Sequence, residues 1–209
     1  MKSFYLKNKL QRMIDTLPIH HHSRVLFLLK KSEIVAFPTG TSYGLGVNVI
    51  DKVALEKLSD LKGRTGEKAY SILLPTKDKN KFVEISEQEK MVLEKFNDKP
   101  LTLLVKPQPI LAHLAKDGKI GVRTADHPFT KALVDLLEFP ITATSANHMG
   151  ENPAYTIDEL TKMFTKETFM AVDGGKLPTN APSTVAKFED GKWIILRQGS
   201  ITKKDLEAT

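Results

Sequence analysis

Segments with the pattern of a helix alternate with segments with the pattern of a strand along most of this 209-residue chain. Apolar residues at helical spacing predict helices over 2–16, 22–31, 51–63, 86–96, 127–138 and 156–164. Short apolar runs predict strands over 33–37, 70–75, 101–105, 119–123 and 141–145, and three more strands close the chain. The alternation predicts an α/β fold, a single domain with a mixed parallel and antiparallel sheet flanked by helices. Antiparallel pairing is expected among the last strands, because they lie close together in sequence.

Local signals mark where some of these helices begin and end. Ser86 and Glu89 have the spacing of a capping box, and Pro128 suits the first turn of a helix. Gly63 can end the helix before it by adopting a left-handed conformation. A chain of this length is sufficient for one sizeable domain.

The composition excludes several classes of protein. Without cysteine, the chain cannot use a disulfide framework, a thiolate zinc site or a cysteine nucleophile. It has no run of about 18 apolar residues that would predict a membrane span, and its first residues lack the apolar core of a secretion signal. We therefore expect a cytoplasmic protein. Three consecutive histidines, His20 to His22, would point to different faces of a helix, which argues against a metal site there.

The chain is basic, with 31 Lys and Arg residues against 25 Asp and Glu residues and a formal charge of +6. Excess positive charge favours partners that carry phosphate groups. Much of the excess lies between Lys52 and Lys81. A basic surface that only keeps the protein soluble is the alternative interpretation.

Polar residues concentrate in five segments that follow or end a predicted strand or helix, where α/β proteins commonly place their sites. The segments are FPTGTSYGLG (37–46), LKGRTGEK (61–68), GVRTADHP (121–128), TATSANHMGENPAYT (142–156), and APSTVAKF with WIILRQGS (181–200). In the first segment, glycines would let the backbone approach a ligand, and Thr41 and Tyr43 offer hydrogen bonds. A plain turn with hydroxyls that cap backbone groups explains this segment equally well.

Cations stand out in two of these segments. Lys62, Arg64 and Lys68 could together hold several phosphate oxygens, although a solvated basic turn is the simpler explanation. Arg123 ends an apolar strand and needs a partner there, either the carboxylate of a ligand or a structural aspartate.

The last two segments offer short polar groups at the ends of strands. Ser145 and Asn147 lead from a strand into a loop, where turn chemistry is the alternative explanation. Ser183 opens one of the closing strands, and Arg197 ends another. Neither a nucleophilic triad nor a close pair of carboxylates is evident.

Taken in order, these segments resemble the motifs of the YrdC-like threonylcarbamoyl-AMP synthases. The matching stretches are AFPTGTSYGLG, LKGR, IGVRTADHP, TSANHMG and PSTVAKF with ILRQGSI, and the resemblance runs from about residue 23 to 201. It implies a YrdC-like domain with a basic concave face over 23–205, and residues 1–22 before it are expected to form an N-terminal helical extension. Members of that family combine L-threonine, bicarbonate and ATP into threonylcarbamoyl-AMP and pyrophosphate. A partner threonylcarbamoyltransferase enzyme then moves the threonylcarbamoyl group onto tRNA, and the basic face makes direct binding of tRNA possible.

The resemblance also implies roles for individual residues. The implied catalytic set is Lys62, Arg64, Ser145 and Asn147. The implied ATP contacts are Arg64, Lys68, Asn147, Thr156 and Arg197. The implied threonine contacts are Thr41, Arg123, Ser145 and Ser183, with Arg123 on the carboxylate. The chemistry needs no protein nucleophile, so fixed cations are the useful groups. Mg²⁺ is expected to arrive with ATP, because it keeps waters and needs few protein ligands.

The sequence departs from the family pattern in places. Gly40 and Thr65 stand where an acidic residue and a proline are common, and DKPLT, SANHMG and KAY differ from the usual elements. Two alternatives stay open: a non-catalytic paralogue of the same fold that binds nucleotide, and a binder of double-stranded RNA. The presence of SAN favours the synthase.

Overall fold

The structure is a computed structural model that describes residues 14–63 and 70–209. The strands are β1 (Ile14–Pro18), β2 (Val35–Pro38), β3 (Tyr43–Gly46), β4 (Ser71–Leu73), β5 (Val83–Glu84), β6 (Leu101–Pro107), β7 (Ile120–Arg123), β8 (Ile141–Thr142), β9 (Thr144–Ser145), β10 (Phe169–Asp173), β11 (Thr184–Glu189) and β12 (Lys192–Arg197). The α-helices are α1 (His22–Lys30), α2 (Lys52–Leu61), α3 (Glu87–Lys95), α4 (Pro128–Leu136), α5 (Ile157–Met163) and α6 (Lys203–Glu207), with 3₁₀ helices at Lys79–Lys81 and Pro109–Leu114.

The strands form two mixed sheets. The five-stranded sheet has the order β1-β10-β2-β3-β9, and the seven-stranded sheet has the order β12-β11-β6-β7-β4-β8, with β5 paired to β6. Parallel and antiparallel pairs occur in both sheets, and β11 and β12 are antiparallel. The predicted α/β class with mixed pairing is therefore confirmed. The strands are divided between two sheets, however, whereas the sequence suggested one.

The two sheets are connected through residues 141–145, which the sequence predicts as one strand. β8 pairs with β4 in one sheet and β9 pairs with β3 in the other. The buried hydroxyl of Thr142 fixes this crossing, because it donates to the carbonyl oxygen of Leu45 at 3.0 Å and accepts from the amide of Val47 at 3.1 Å. The crossing brings Ser145 to the junction between the sheets.

The first described residues correct the expected N-terminal helix. Residues 2–13 of that helix lie outside the described part of the chain, and residues 14–16 belong to β1, which runs parallel to β10. Ile14 and Leu17 are the buried residues of β1. Their spacing of three imitates a helical face, which explains the wrong prediction. Since β1 is an edge strand of the sheet, residues 14–18 belong to the α/β domain and not to a helical extension.

The glycines of 37–46 serve strand packing as well as the turn. β3 was not predicted as a strand, yet it pairs antiparallel with β2. A side chain on Gly46 would overlap the ring of Phe37, and one on Gly44 would lie 3.2 Å from the Thr39 methyl carbon. These glycines therefore let two strands pack closely, instead of opening the backbone to a ligand.

Helices cover the sheets and complete the core. Val25 and Leu29 of α1 pack with Phe129 and Leu133 of α4 in one buried cluster. The predicted helix boundaries are confirmed where local signals were strong: Ser86 and Glu89 form a capping box, and Gly63 has φ of +59° after α2. Among the described residues, no helix has the length and apolar character needed to cross a bilayer.

Candidate active site

An open cavity of about 370 Å³ lies where the two sheets meet. It is bordered by the turn after β2, the end of β7, the loop after β9, the start of β11 and the end of β12. Six of the ten residues singled out in the sequence line it: Thr41, Arg123, Ser145, Asn147, Ser183 and Arg197. Five elements of the fold thus converge on one space.

Arg123 at the end of β7 is fixed by three acceptors. Its Nη2 donates to Thr41 Oγ1 at 2.8 Å, to Thr39 Oγ1 at 3.3 Å and to Asp126 Oδ2 at 2.9 Å. The Arg123 side chain is only 10% exposed, and its buried Nε has no hydrogen-bond partner. The sequence left open whether Arg123 meets a ligand or a structural aspartate, and the structure shows that an aspartate is present beside an unfilled donor.

Arg197 adds a second guanidinium to the cavity. Its Nε donates to the carbonyl oxygen of Ser183 at 3.1 Å and its Nη2 donates to Ser183 Oγ at 2.9 Å. The Ser183 hydroxyl also lies 3.0 Å from Thr102 Oγ1. Burial lowers the pKa of Arg197 from its ordinary value, and the positive charge of Arg123 lowers it further. Two guanidiniums that repel each other across one cavity favour an anion between them.

The hydroxyl turn, which we define as residues 39–42, is held by its own side chains and by Asp126. Thr39 Oγ1 donates to the carbonyl oxygen of Ser42 at 2.8 Å. The amide of Gly40 donates to Asp126 Oδ1 at 3.1 Å, and its carbonyl oxygen accepts from Asn180 Nδ2 at 2.9 Å. These contacts hold the Thr41 hydroxyl beside Arg123.

Lys62 lies under the cavity wall and does not line the cavity. Lys62 is 2% exposed, and its Nζ donates to the carbonyl oxygens of Ser145 at 2.5 Å and Asn147 at 2.9 Å. Asn147 Oδ1 accepts from Lys62 Nζ at 3.2 Å and from Ser145 Oγ at 2.6 Å. We call residues 145–147 the SAN loop. In this structure Lys62 shapes the SAN loop, and its predicted contact with nucleotide stays a prediction.

Three other predicted residues lie away from the cavity lining or outside the described chain. Thr156 is the N-cap of α5, where its Oγ1 accepts from the amide of Glu159 at 3.1 Å, and its neighbour Tyr155 lines the cavity instead. Helix capping accounts for this threonine without a nucleotide. Arg64 and Lys68 lie outside the described residues.

Sequence reasoning missed several polar residues around the site. Glu151, Tyr155 and Asn180 line the cavity, and Asp126 supports Arg123. The spacing of Asp126 three residues after Arg123 was the one available signal, because such pairs are frequent ion pairs. Nothing in the sequence distinguishes Asn180 from an ordinary loop residue.

A second cavity of about 350 Å³ shares Arg123 with the first but has different chemistry. Half of its lining residues are apolar, among them Leu74, Leu93 and Val134, and Lys131 is one of its charged residues. None of the other residues singled out in the sequence lines it. The polar cavity is therefore the better candidate for a site that binds anions.

The acidic groups near the polar cavity are few. Glu151 is the carboxylate among its lining residues. Within 14–63 and 70–209, no group of three or more His, Asp or Glu side chains is placed to hold a metal ion. A cation that entered this site would depend on oxygen atoms of its ligand.

The chain is similar to proteins from archaea and bacteria. The family model Sua5_yciO_yrdC, described as "Telomere recombination", matches residues 28–199. A protein of Methanocaldococcus jannaschii provisionally named threonylcarbamoyl-AMP synthase is 34% identical, over 94% of this chain and 95% of its own length. The threonylcarbamoyl-AMP synthase of Bacillus subtilis is 30% identical, over 87% of this chain and 54% of its own.

A solved structure of a relative supports the same placement. The crystal structure of Pyrococcus abyssi Sua5 complexed with L-threonine matches with a TM-score of 0.81 and 25% identity. The match covers 93% of this chain and 60% of the P. abyssi chain. This chain thus spans nearly all of the M. jannaschii relative but little more than half of the B. subtilis and P. abyssi proteins.

Proposed function

This chain belongs to the Sua5/YciO/YrdC family, and we propose that it is an L-threonylcarbamoyladenylate synthase, a nucleotidyltransferase that acts in tRNA modification. In this proposal it converts L-threonine, bicarbonate and ATP into threonylcarbamoyl-AMP and pyrophosphate. The observation that carries the proposal is the convergence of Thr41, Arg123, Ser183 and Arg197 on one cavity. Two guanidiniums and two hydroxyls there suit a small amino acid beside a phosphate chain.

The amino acid is bound at the Arg123 end of the cavity. An arginine offers a planar set of donors that matches a carboxylate, and part of the Arg123 side chain is exposed to the cavity. The Thr41 hydroxyl lies 2.8 Å from Arg123 Nη2 and can contact the same ligand. Ser183 also lines the cavity, where its hydroxyl can meet the polar groups of threonine.

The chemistry proceeds by positioning and charge stabilisation. The threonine nitrogen attacks bicarbonate carbon with loss of water, which gives a carbamate. A carbamate oxygen then attacks the α-phosphorus of ATP, and the bond to the β-phosphate oxygen breaks as pyrophosphate leaves. Negative charge grows on the leaving group, so Arg197 is suited to stabilise it. Holding three reactants in the right geometry in one cavity can lower the activation free energy by up to about 11 kcal/mol.

Mg²⁺ enters this proposal with ATP. Glu151 is the acidic residue of the cavity lining, and the neutral oxygens of Ser145 and Asn147 are weak ligands for a hard cation. Phosphate oxygens and water would therefore supply most of the coordination. The product would pass to a partner transferase that modifies tRNA, and we propose that both steps take place in the cytoplasm.

The proposal is tested with the purified full chain, ATP, Mg²⁺, L-threonine and bicarbonate. We expect pyrophosphate release that requires both threonine and bicarbonate, with threonylcarbamoyl-AMP identified by mass spectrometry. Ser145→Ala should reduce the rate by about 10-fold or more if Ser145 contacts the reacting groups. Lys131→Ala, a change in the second cavity, is the matched control and should retain the wild-type rate.

A folded wild-type protein that releases no pyrophosphate would contradict the proposal. If that protein still bound nucleotide or double-stranded RNA, the non-catalytic paralogue would be the better assignment. Direct binding of tRNA by an active enzyme would instead add a property to the synthase.

A further inference from the structure

Asp126 is a buried carboxylate that connects two walls of the polar cavity. Its side chain is 1% exposed, and it lies three residues after Arg123 in the loop between β7 and α4. Oδ1 accepts from the Gly40 amide at 3.1 Å, and Oδ2 accepts from Arg123 Nη2 at 2.9 Å. A single carboxylate therefore ties the hydroxyl turn to the arginine that faces the cavity.

The contact requires both oxygens of an aspartate. The Gly40 amide and Arg123 Nη2 are both donors, so each needs its own acceptor. An asparagine has one acceptor oxygen and one donor nitrogen, and it would leave either Gly40 or Arg123 facing another donor. The arrangement is therefore specific for a carboxylate rather than for any polar residue of that shape.

Gly40 is matched to Asp126. A Cβ atom at position 40 would lie 2.7 Å from Asp126 Oδ2 and 2.8 Å from the Asp126 carbonyl oxygen. Real Cβ atoms do not approach other atoms so closely, so a larger residue at this position would displace Asp126. The glycine lets the carboxylate reach the backbone of the hydroxyl turn.

The negative charge of Asp126 also reduces the positive charge around the cavity. Arg123 and Arg197 both line the cavity, and the charge of Arg123 contributes to lowering the Arg197 pKa. Asp126 offsets one of these positive charges and fixes the direction of the Arg123 guanidinium. The Arg123 side chain remains 10% exposed and lines the cavity. Arg123 can thus be oriented by one carboxylate while its exposed part meets a second.

We infer that Asp126 is the residue that positions Arg123 to bind the carboxylate of the amino-acid substrate, and that in this chain Gly40 leaves the space that Asp126 occupies. The inference takes the identity of the ligand from the proposed function. It assigns Asp126 a positioning role, since Asp126 itself does not line the cavity. A simple structural ion pair would contribute to stability but not to the recognition of a carboxylate.

The test compares ligands with and without a carboxylate. Calorimetry measures binding of L-threonine and of L-threoninol, which lacks the carboxylate, to the full-length wild type and to Asp126→Asn. We expect the variant to bind L-threonine about 10-fold or more weakly, which is the usual scale for a charged hydrogen bond. Binding of L-threoninol should change by less than about 3-fold.

A matched control and a paired variant sharpen the result. Asp135→Asn changes an exposed aspartate on nearby α4 and should leave both affinities unchanged. Gly40→Ala should weaken L-threonine binding as Asp126→Asn does. In an Asp126→Ala background the added effect of Gly40→Ala should be smaller, because part of the collision is gone.

Two outcomes would overturn the inference. Unchanged L-threonine affinity in Asp126→Asn, with only a lower melting temperature, would show a purely structural ion pair. Tighter L-threonine binding would show that Asp126 competes with the substrate for Arg123. Failure of the proposed function is a separate result. It would appear as absent turnover in the wild type, whereas the binding of L-threonine tests the role of Asp126.

Discussion

Two turns border the polar cavity, and each is held by a buried side chain of opposite charge. The hydroxyl turn is held by Asp126, which accepts from the Gly40 amide. The SAN loop is held by Lys62, which donates to the carbonyl oxygens of Ser145 and Asn147. An inward-pointing amide needs an acceptor, which the Asp126 carboxylate supplies, and inward-pointing carbonyls need a donor, which the Lys62 ammonium supplies.

The difference leaves the two ends of the cavity with different chemistry. At the hydroxyl turn, Asp126 shares its charge with Arg123, so a guanidinium remains at the surface of the cavity. At the SAN loop, the ammonium of Lys62 is turned toward protein carbonyls, and the loop presents the neutral groups of Ser145 and Asn147. The structure therefore places the guanidinium of Arg123 by β7 and the neutral groups of Ser145 and Asn147 by β9.

The largest effect is expected from Lys62→Met, which removes the cation but keeps a chain of similar length. The carbonyl oxygens of Ser145 and Asn147 would lose a charged donor, at a cost of about 2 kcal/mol in the free energy of unfolding. Synthase activity should fall with it, because the SAN loop loses its shape. Urea denaturation and pyrophosphate release measure the two effects. L-threonine binding that stays within about 3-fold of wild type would sharpen the contrast between the turns.

An intermediate effect is expected from Arg123→Gln, which removes the guanidinium charge by β7 and leaves the SAN loop unchanged. The affinity for L-threonine should fall by about 10-fold to 100-fold, the scale of a lost charged hydrogen bond. Binding of a non-hydrolysable ATP analogue without threonine should change much less. Calorimetry with each ligand separately distinguishes the two sites. Equal losses for both ligands would show that the cavity is not divided as proposed.

The smallest effect is a dependence of stability on pH, and it comes from His127, the residue after Asp126. His127 is the N-cap of α4, and its Nδ1 accepts from the Phe129 amide at 3.1 Å. Burial lowers the His127 pKa below its ordinary value of 6.5, while the charge of Asp126 raises it in part. The unfolded chain then binds more protons just below pH 6.5, so the free energy of unfolding decreases as the pH falls through that range.

His127→Asn tests this pH dependence, because asparagine can cap a helix without titrating. Denaturation at pH 7.5 and at lower pH should show a smaller loss of stability in the variant than in the wild type. If the free energy of unfolding changed equally with pH in both proteins, groups other than His127 would be responsible for the pH dependence.

Much of the fold could be predicted from local patterns. The capping box at Ser86 and the antiparallel closing strands β11 and β12 were predicted correctly. β1 was mistaken for a helix because Ile14 and Leu17 have helical spacing, and pairing with the distant β10 decided otherwise. The division into two sheets depends on the partners of β8 and β9, which no local pattern specifies.

The site was predictable in its members but not in their arrangement. Motifs located Arg123 and Ser183 at strand ends, and both line the cavity. The same motifs could not show that Lys62 points its ammonium at the SAN loop, because the direction of a side chain depends on packing. Asp126 was missed since a lone aspartate in a loop resembles ordinary turn chemistry.

The central claim is that one polar cavity at the sheet junction holds the amino acid by its carboxylate. A crystal structure of the full chain with L-threonine tests it most directly. We predict a carboxylate within hydrogen-bond distance of Arg123 and the Thr41 hydroxyl, with the threonine nitrogen directed toward the Arg197 side. Threonine bound in the second cavity, or away from Arg123, would contradict the account.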